Sequence, residues 1–556
     1  MEADNNHKTN GETVQNGSID LELQSNEEEE EPNKCCTCCL LSENPLPDNP
    51  GILALFRWYL LCPPHGELGW LLMRVLGCSI AWIALWGIAG IEHAGPQGDL
   101  SSVFVIYVFA RLMGFLASKI YLPPLVGMLL GGALLNYSCI GNWHVANSIP
   151  FHTKYILRGI AFIAILIRAG LSINPRTHKV QYAVLRLAAL PGVISEAPVI
   201  AITSYYLLGL PFSMSLLLGF ILAAVSPAVV VPPLLHLQNK GFGVEQNIPR
   251  LVISAACLDD TIAIGAFSLT MVFTFAQVKI QFIPIEMLIG IGSSCLIGML
   301  LWYIPPQTRN ELDKHGARVR NPENHTAARF LLLSGFGMGY VFGFAELGFT
   351  GTGLIGCFSV AFVAGLAWDY DTRRPVGEAF GHVWNQLMPL LFGLIGAEVS
   401  ISHITADFIW RALLVIGAGL LIRIMASFLA VFGQNLKFKE QLFVAIAWIP
   451  KATIQAAMCA LPLDTARRLS KGTLSKDDVE NSQSVLTVVV LSIAISAPFG
   501  SLAISYFGRR LLKCTPHKSS HHTHVTWSDG VPRPLELKGD RRQSAPFFEL
   551  GGSTIS

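Results

Sequence analysis

The predicted fold class is an all-α polytopic membrane protein of about fourteen transmembrane helices, built from two inverted six-helix repeats with broken helices. Three observations predict it. The 556 residues are 52% hydrophobic and only 14% charged, too oily for a soluble chain that must cover itself in charge. Apolar runs long enough to cross a bilayer recur along the chain. Several features of its first half return in its second at nearly one offset. The net charge of +1 leaves no basic footprint of a nucleic-acid partner.

Residues 1–50 begin "MEADNNHKTNGETVQNGS" and carry an acidic run, which reads as a disordered cytoplasmic tail without a secretory signal. The cysteine cluster Cys35 to Cys39 in this tail leaves three readings open: palmitoylation, metal binding, or no reactivity. Residues 51–68 contain an apolar run too short to span and are assigned to the membrane interface. An extra N-terminal transmembrane helix is expected within 69–95. The first repeat, 101–275, holds runs at 101–119, 122–136, 155–174, 181–209, 213–235 and 250–275. A linker helix follows at 282–304. The second repeat, 328–508, holds runs at 328–345, 351–368, 383–401, 408–433, 441–461 and 484–508. Residues 509–556 form a cytoplasmic C-terminal tail.

With both termini cytoplasmic, Lys and Arg number 13 in the connections expected inside and 6 in those expected outside, as the positive-inside bias requires. The 462–483 connection, with Arg467 and Arg468, runs against that trend.

The repeat rests on three correspondences. "LIRAGLSI" at 166–173 resembles "LIGAEVSI" at 394–401, Glu196 corresponds to Arg423, and "VSPAVVVP" around Ser226 corresponds to "WIPKATIQ" around Lys451. Equivalent helices lie seven spans apart, an odd number, so the two units have opposite orientation. That is the plan of secondary transporters, whose sites sit where interrupted helices meet near mid-membrane.

Pro227 and Pro450 each fall mid-span, where proline removes a backbone donor and clashes with the preceding turn. A simple kink explains either alone; their matched placement favours two helix breaks meeting at one depth. Carbonyls at such ends, including those of Ala224 and Val225, are candidate cation ligands, and their partial charges need neutralising. Lys451 is placed to meet carbonyl ends, and Ser226 and Thr453 to add oxygen ligands.

Asp259 and Asp260 lie ten and eleven residues into the 250–275 run, too deep for easy snorkelling. Each central Asp costs about 2.5–3.5 kcal/mol on insertion scales. Neighbours on a helix project about 100° apart, so one carboxylate can hold an ion while the other meets a cation or takes a proton. Hard oxygen ligands suit a small alkali cation, and a proton competing for the same carboxylates makes the pair tolerable. A structural network with Lys451 or Arg423 is the alternative. Glu196 and Arg423 are expected to form a buried ion pair, either switching with protonation or clamped permanently. Glu398 is placed on a possible entry path or at a wet helix end, and Arg168 is assigned as a snorkelling residue.

At "CLDDTIAI", "GFILAAVSPAVVVPPLL", "LMPLLFGLIGAEVS" and "AWIPKATIQAA" the chain resembles the monovalent cation/proton antiporters, especially the animal sodium/proton antiporter branch, solute carrier family 9 subfamily B. The likeness covers roughly residues 65–510. It implies a homodimer whose protomers pair a dimerisation domain with a mobile ion-carrying core moving like an elevator. The family exchanges Na⁺, often Li⁺, for H⁺. Residue by residue, its aspartate pair falls on Asp259 and Asp260, with Asp260 the direct ligand, and its crossing broken helices are those of Ser226–Pro227 and Pro450–Thr453. Electrogenic bacterial relatives carry Lys where this chain has Arg423, and arginine is hardly ever deprotonated.

The expected function is therefore secondary antiport of Na⁺ or Li⁺ against H⁺ in a plasma or organelle membrane, mitochondrial or endosomal, in contact with lipid. No cofactor and no enzymatic chemistry are expected. A gated cation channel on the same scaffold is the alternative. An organic-anion carrier would favour cationic and polar ligands over an Asp pair, and a signalling scaffold would work through its tails.

Overall fold

The computed structural model describes residue 51, residues 66–137, 144–172, 182–275, 283–303, 323–368, 370–399, 405–469 and 476–514, and short strand pairs at 311–312 with 318–319 and 527–528 with 531–532. The N-terminal tail with Cys35 to Cys39 and most of the interfacial segment and C-terminal tail lie outside the described residues.

Among the described residues, each apolar run expected to span the membrane lies on a helix. In chain order these are α1 (Gly66–Ala89), α2 (Asp99–Lys119), α3 (Pro124–Tyr137), α4 (Phe151–Ser172), α5 (Tyr182–Leu208), the two halves of α6 (Phe212–Ala223 and Pro227–Asn239), α7 (Ile248–Phe275) and α8 (Ile283–Tyr303). There follow α9 (323–346), α10 (Thr350–Ala367), α11 (Tyr370–Gly396), α12 (Ala406–Ala430), the two halves of α13 (Phe438–Ala447 and Thr453–Leu469) and α14 (Lys476–Leu511). In hydrocarbon every backbone donor and acceptor must be satisfied within the segment, which leaves the helix as the default for such runs.

Among the described residues, ten helices are long and apolar enough to cross a membrane, against about fourteen expected. The shortfall has local causes. Helices α3 and α10 are shorter apolar segments. The start of α11 carries Asp371, Arg373, Arg374 and Glu378, which dilutes its apolar stretch. The interruption of α13 leaves pieces of 10 and 17 residues.

The chain divides into two units, residues 1–88, whose described part is mostly α1, and residues 89–556. Within that second unit the helices sort by packing into two bundles. One contains α2, α3, α4 and α8 to α11; the other contains α5 to α7 and α12 to α14. They meet where α4, α10 and α11 face α7 and the second half of α13.

Small residues allow the closest approaches. A Cβ on Gly132 of α3 would lie 2.0 Å from the carbonyl oxygen of Gly393 on α11, so the two backbones pack at a distance that only glycine permits. Helix α5 is π-helical over Leu190–Glu196. Pro191 sits inside this segment and supplies no backbone donor, a usual origin of such bulges. The bulge ends on Glu196.

Candidate functional site: the helix crossing and its charges

The first break leaves extended backbone. Ala224 and Ser226 have φ/ψ of −73°/145° and −99°/105°, and the second half of α6 starts at Pro227, where a missing N–H costs nothing. The two interruptions touch directly. The Ser226 N–H donates to the Pro450 carbonyl at 2.9 Å, and Ser226 Oγ lies 3.3 Å from Thr453 Oγ1.

A helix C-terminus carries partial negative charge on unsatisfied carbonyls, and two such ends are buried here. Arg423 on α12 reaches both. Its Nη1 donates to the Ala223 carbonyl at 2.5 Å, and its Nε to the Trp448 carbonyl at 2.6 Å. Lys451 Nζ donates to the Leu222 carbonyl. Gln455 bridges the breaks, giving Nε2 to the Ala224 carbonyl at 2.5 Å and accepting the Ala452 N–H at 2.8 Å.

The carboxylates complete the arrangement. Arg423 Nη1 also donates to Glu196 Oε2, and Lys451 Nζ is 2.7 Å from Glu196 Oε1. Asp259 accepts the Val225 N–H at 2.7 Å and Arg423 Nη2 at 3.3 Å through the same Oδ2. Glu196, Asp259, Arg423 and Lys451 thus form a compact buried quartet of two negative and two positive charges.

Asp260 stands outside it. Its side chain is 4% exposed, and Oδ1 has no hydrogen-bond partner. It lines a cavity between the two bundles, with Arg168, Ser172 and Trp384 on one wall and Pro227, Cys257 and Thr453 on the other. An ionised carboxylate in such a place is costly unless it is neutralised. Chemically the arrangement offers one carboxylate, reachable from a cavity, beside a charge-balanced scaffold.

The family described as sodium/hydrogen exchanger, transmembrane, matches residues 104–508. The chain belongs to the sodium/hydrogen exchanger family. It is 35% identical over 490 residues to sodium/hydrogen exchanger 9B2 of Homo sapiens, covering 86% of this chain and 87% of that one. To sodium/hydrogen exchanger 9B1 of Homo sapiens it is 34% identical over 470 residues, covering 82% and 86%. The sodium proton antiporter MjNhaP1 from Methanocaldococcus jannaschii shares its fold, with a TM-score of 0.54 at 18% identity over 74% of this chain and 98% of the other. These relatives are transporters by name, and the apolar helices make this exchanger an integral membrane protein.

Within this exchanger the broken-helix positions divide. Thr453 and Pro227 line the cavity with Asp260. Two of the carbonyls expected as cation ligands each accept a protein donor, Ala224 from Gln455 and Pro450 from the Ser226 N–H. Val225 contributes its N–H, to Asp259, and Lys451 acts as a counter-charge. Arg168 does not simply snorkel to an interface but lines the cavity.

Glu398 is at a helix end, one of the two places expected for it, but its side chain is enclosed by cations. It lies just beyond the C-terminus of α11, toward the opposite end of α4 from Arg168, and the cations are Arg158, Lys154 and Arg467. Arg467 and Arg468, anomalous as outside-loop charges, belong to the last turn of α13. They are spent on ionic contacts.

Sequence reasoning missed Gln455, Gly192, Arg158 and Asp464. An uncharged polar residue inside an apolar helix was the available signal for Gln455. Gly192 sits in the α5 bulge, where a Cβ would lie 2.3 Å from the Ala223 carbonyl oxygen and 2.9 Å from Asp259 Oδ1. Gly192→Ala is therefore expected to push the first break away from Asp259. Na⁺-dependent exchange should fall at least ~10-fold and the melting temperature in detergent should drop, overpacking of this kind costing about 1–3 kcal/mol. Unchanged values in both assays would show that the crossing yields freely.

Proposed function

We propose that this chain is a secondary antiporter exchanging Na⁺ or Li⁺ for H⁺, with Asp260 binding the cation and the proton in turn. The observation that carries this reading is the charge balance at the crossing. Glu196, Asp259, Arg423 and Lys451 neutralise one another, so the cavity-facing carboxylate of Asp260 is the group left to be discharged by cargo. Thr453 Oγ1 is near enough the cavity wall to assist as a hard oxygen ligand. Loaded with Na⁺ or H⁺, the crossing is neutral and can change its exposure; empty, it carries one uncompensated charge and is held back. Alternation between sides then couples the two fluxes.

Arg423 keeps its charge throughout, so one Na⁺ exchanges for one H⁺ and transport is electroneutral. The helix units at 101–275 and 328–508 supply the two breaks and the two sides of the Glu196–Arg423 pair, which supports their reading as inverted repeats. The family likeness adds an elevator-like movement of the bundle with α5 to α7 and α12 to α14 and a homodimer, and the excess of Lys and Arg in the connections expected inside supports cytoplasmic termini. Reaching Asp260 from one end while charged pairs bind the bundles together toward the other favours a carrier over the gated-channel alternative, whose flux would run without a pH gradient.

Competition at a single carboxylate has a numerical consequence. In proteoliposomes the Na⁺ concentration giving half-maximal exchange should rise about tenfold per unit fall in pH on the acid limb, the ratio set by one proton displacing one cation. A limb approaching a hundredfold per unit would mean that both aspartates release protons. A flux that responds to an imposed membrane potential at constant ion gradients would overturn the electroneutral stoichiometry.

A further inference from the structure

The second cluster of buried charge joins the two bundles at a place the ion site does not use. Asp464, Arg467 and Arg468 all lie near the C-terminus of the second half of α13, in the bundle that carries Asp260. Each reaches a group of the other bundle. Arg158 on α4 grips Asp464 with both prongs of its guanidinium, Nε to Oδ2 at 3.0 Å and Nη2 to Oδ1 at 2.5 Å. Arg158 Nη1 also donates to Glu398 at 3.3 Å, and Arg467 donates to the other oxygen of Glu398. Arg468 donates to the Ala345 carbonyl at the end of α9. Arg158 and Asp464 are 2% and 1% exposed, so their pair is shielded from the water and salt that weaken surface pairs.

Position along α4 gives the cluster its meaning. Arg158 precedes Arg168 by ten residues, about 15 Å of helix rise, and Arg168 and Ser172 line the cavity that reaches Asp260. The bundles are therefore parted at one end of α4 and bound by forked, charge-assisted hydrogen bonds toward the other. Relative movement of the bundles that opened the second end would have to break these contacts.

We propose that Arg158–Asp464 and Arg467–Glu398 form a latch that holds the exchanger in the conformation whose cavity reaches Asp260, and that transport requires the latch to open and reclose in each cycle. These four are positioning residues for exchange: they touch no cargo and act through the relative placement of the bundles. The inference rests on the alternating-access reading above.

Cys257 supplies the reporter, since it is half-buried and lines the same cavity one helical turn before Asp260. With the other eleven cysteines replaced, a membrane-impermeant maleimide applied to sealed vesicles should label Cys257 from one side. In Arg158→Gln/Asp464→Asn, which removes the pair without leaving a lone buried charge, the labelling rate from that side should fall at least ~3-fold. Arg467→Gln, at a half-buried position, should give a smaller fall in the same direction and guards against misfolding of the double variant. The exchanged pair Arg158→Asp/Asp464→Arg should recover part of the parental rate. An unchanged rate in folded neutral variants would overturn the latch and leave the cluster a static clamp. Failure of the alternating-access reading appears separately, as absence of Na⁺-driven proton movement in the parent protein.

Discussion

Asp260→Asn should abolish Na⁺- and Li⁺-driven proton movement in proteoliposomes, by at least ~100-fold, while the protein remains folded. The amide keeps the shape of the carboxyl group but carries neither load: it cannot bind a cation by charge, and it has no proton to release. Because Asp260 Oδ1 makes no hydrogen bond within the protein, little packing is lost, and the melting temperature should stay near that of the parent. Asp259→Asn is the informative contrast. Asp259 Oδ2 accepts from both the Val225 N–H and Arg423, and removing its charge leaves the quartet with a net positive charge. That variant should be less stable, with an effect of roughly 1–3 kcal/mol for the charged hydrogen bonds weakened, and should retain measurable exchange. If Asp260→Asn exchanges normally while Asp259→Asn does not, the roles assigned to the two carboxylates are reversed.

Much of this site could be read from residue pattern. Charged residues deep in apolar runs are rare enough to stand out, and the near-constant repeat offset places Glu196 opposite Arg423 and Ser226 opposite Lys451. In the structure Glu196 meets Arg423, and Ser226 meets Thr453, two residues beyond Lys451, each at a separation of 227 residues. The division of labour between Asp259 and Asp260 was legible only through the family resemblance, because from helix geometry alone it depends on which way a 100° turn of helix faces relative to α12. Nor was the fate of the free carbonyls, since Gln455 carries no charge to mark it. The latch was hidden for a different reason: Arg158 and Asp464 are 306 residues apart and Arg158 and Glu398 are 240 apart, with no repeat relation to bring them to notice.

The largest stability loss is expected at Arg423. This guanidinium satisfies the C-terminal ends of both interrupted helices, at Ala223 and Trp448, and neutralises Glu196 and Asp259 at the same time. Removing one partner of a buried ion pair costs about 3–5 kcal/mol, because the remaining charge is left without compensation. Two helix ends are uncovered as well, each worth up to about 2 kcal/mol in buried geometries. Arg423→Gln should therefore depress the melting temperature in detergent further than any other substitution at the crossing. Arg423→Lys should rescue only part of the loss, since one ammonium on a flexible stem cannot reproduce a planar fork that reaches two carbonyls and two carboxylates. Lys451→Gln should be milder than Arg423→Gln, because Glu196 keeps the Arg423 contact. Melting temperatures measured for the three variants at matched pH and salt should rank in that order. A Lys451 variant less stable than Arg423→Gln would move the anchor of the crossing from α12 to the second break.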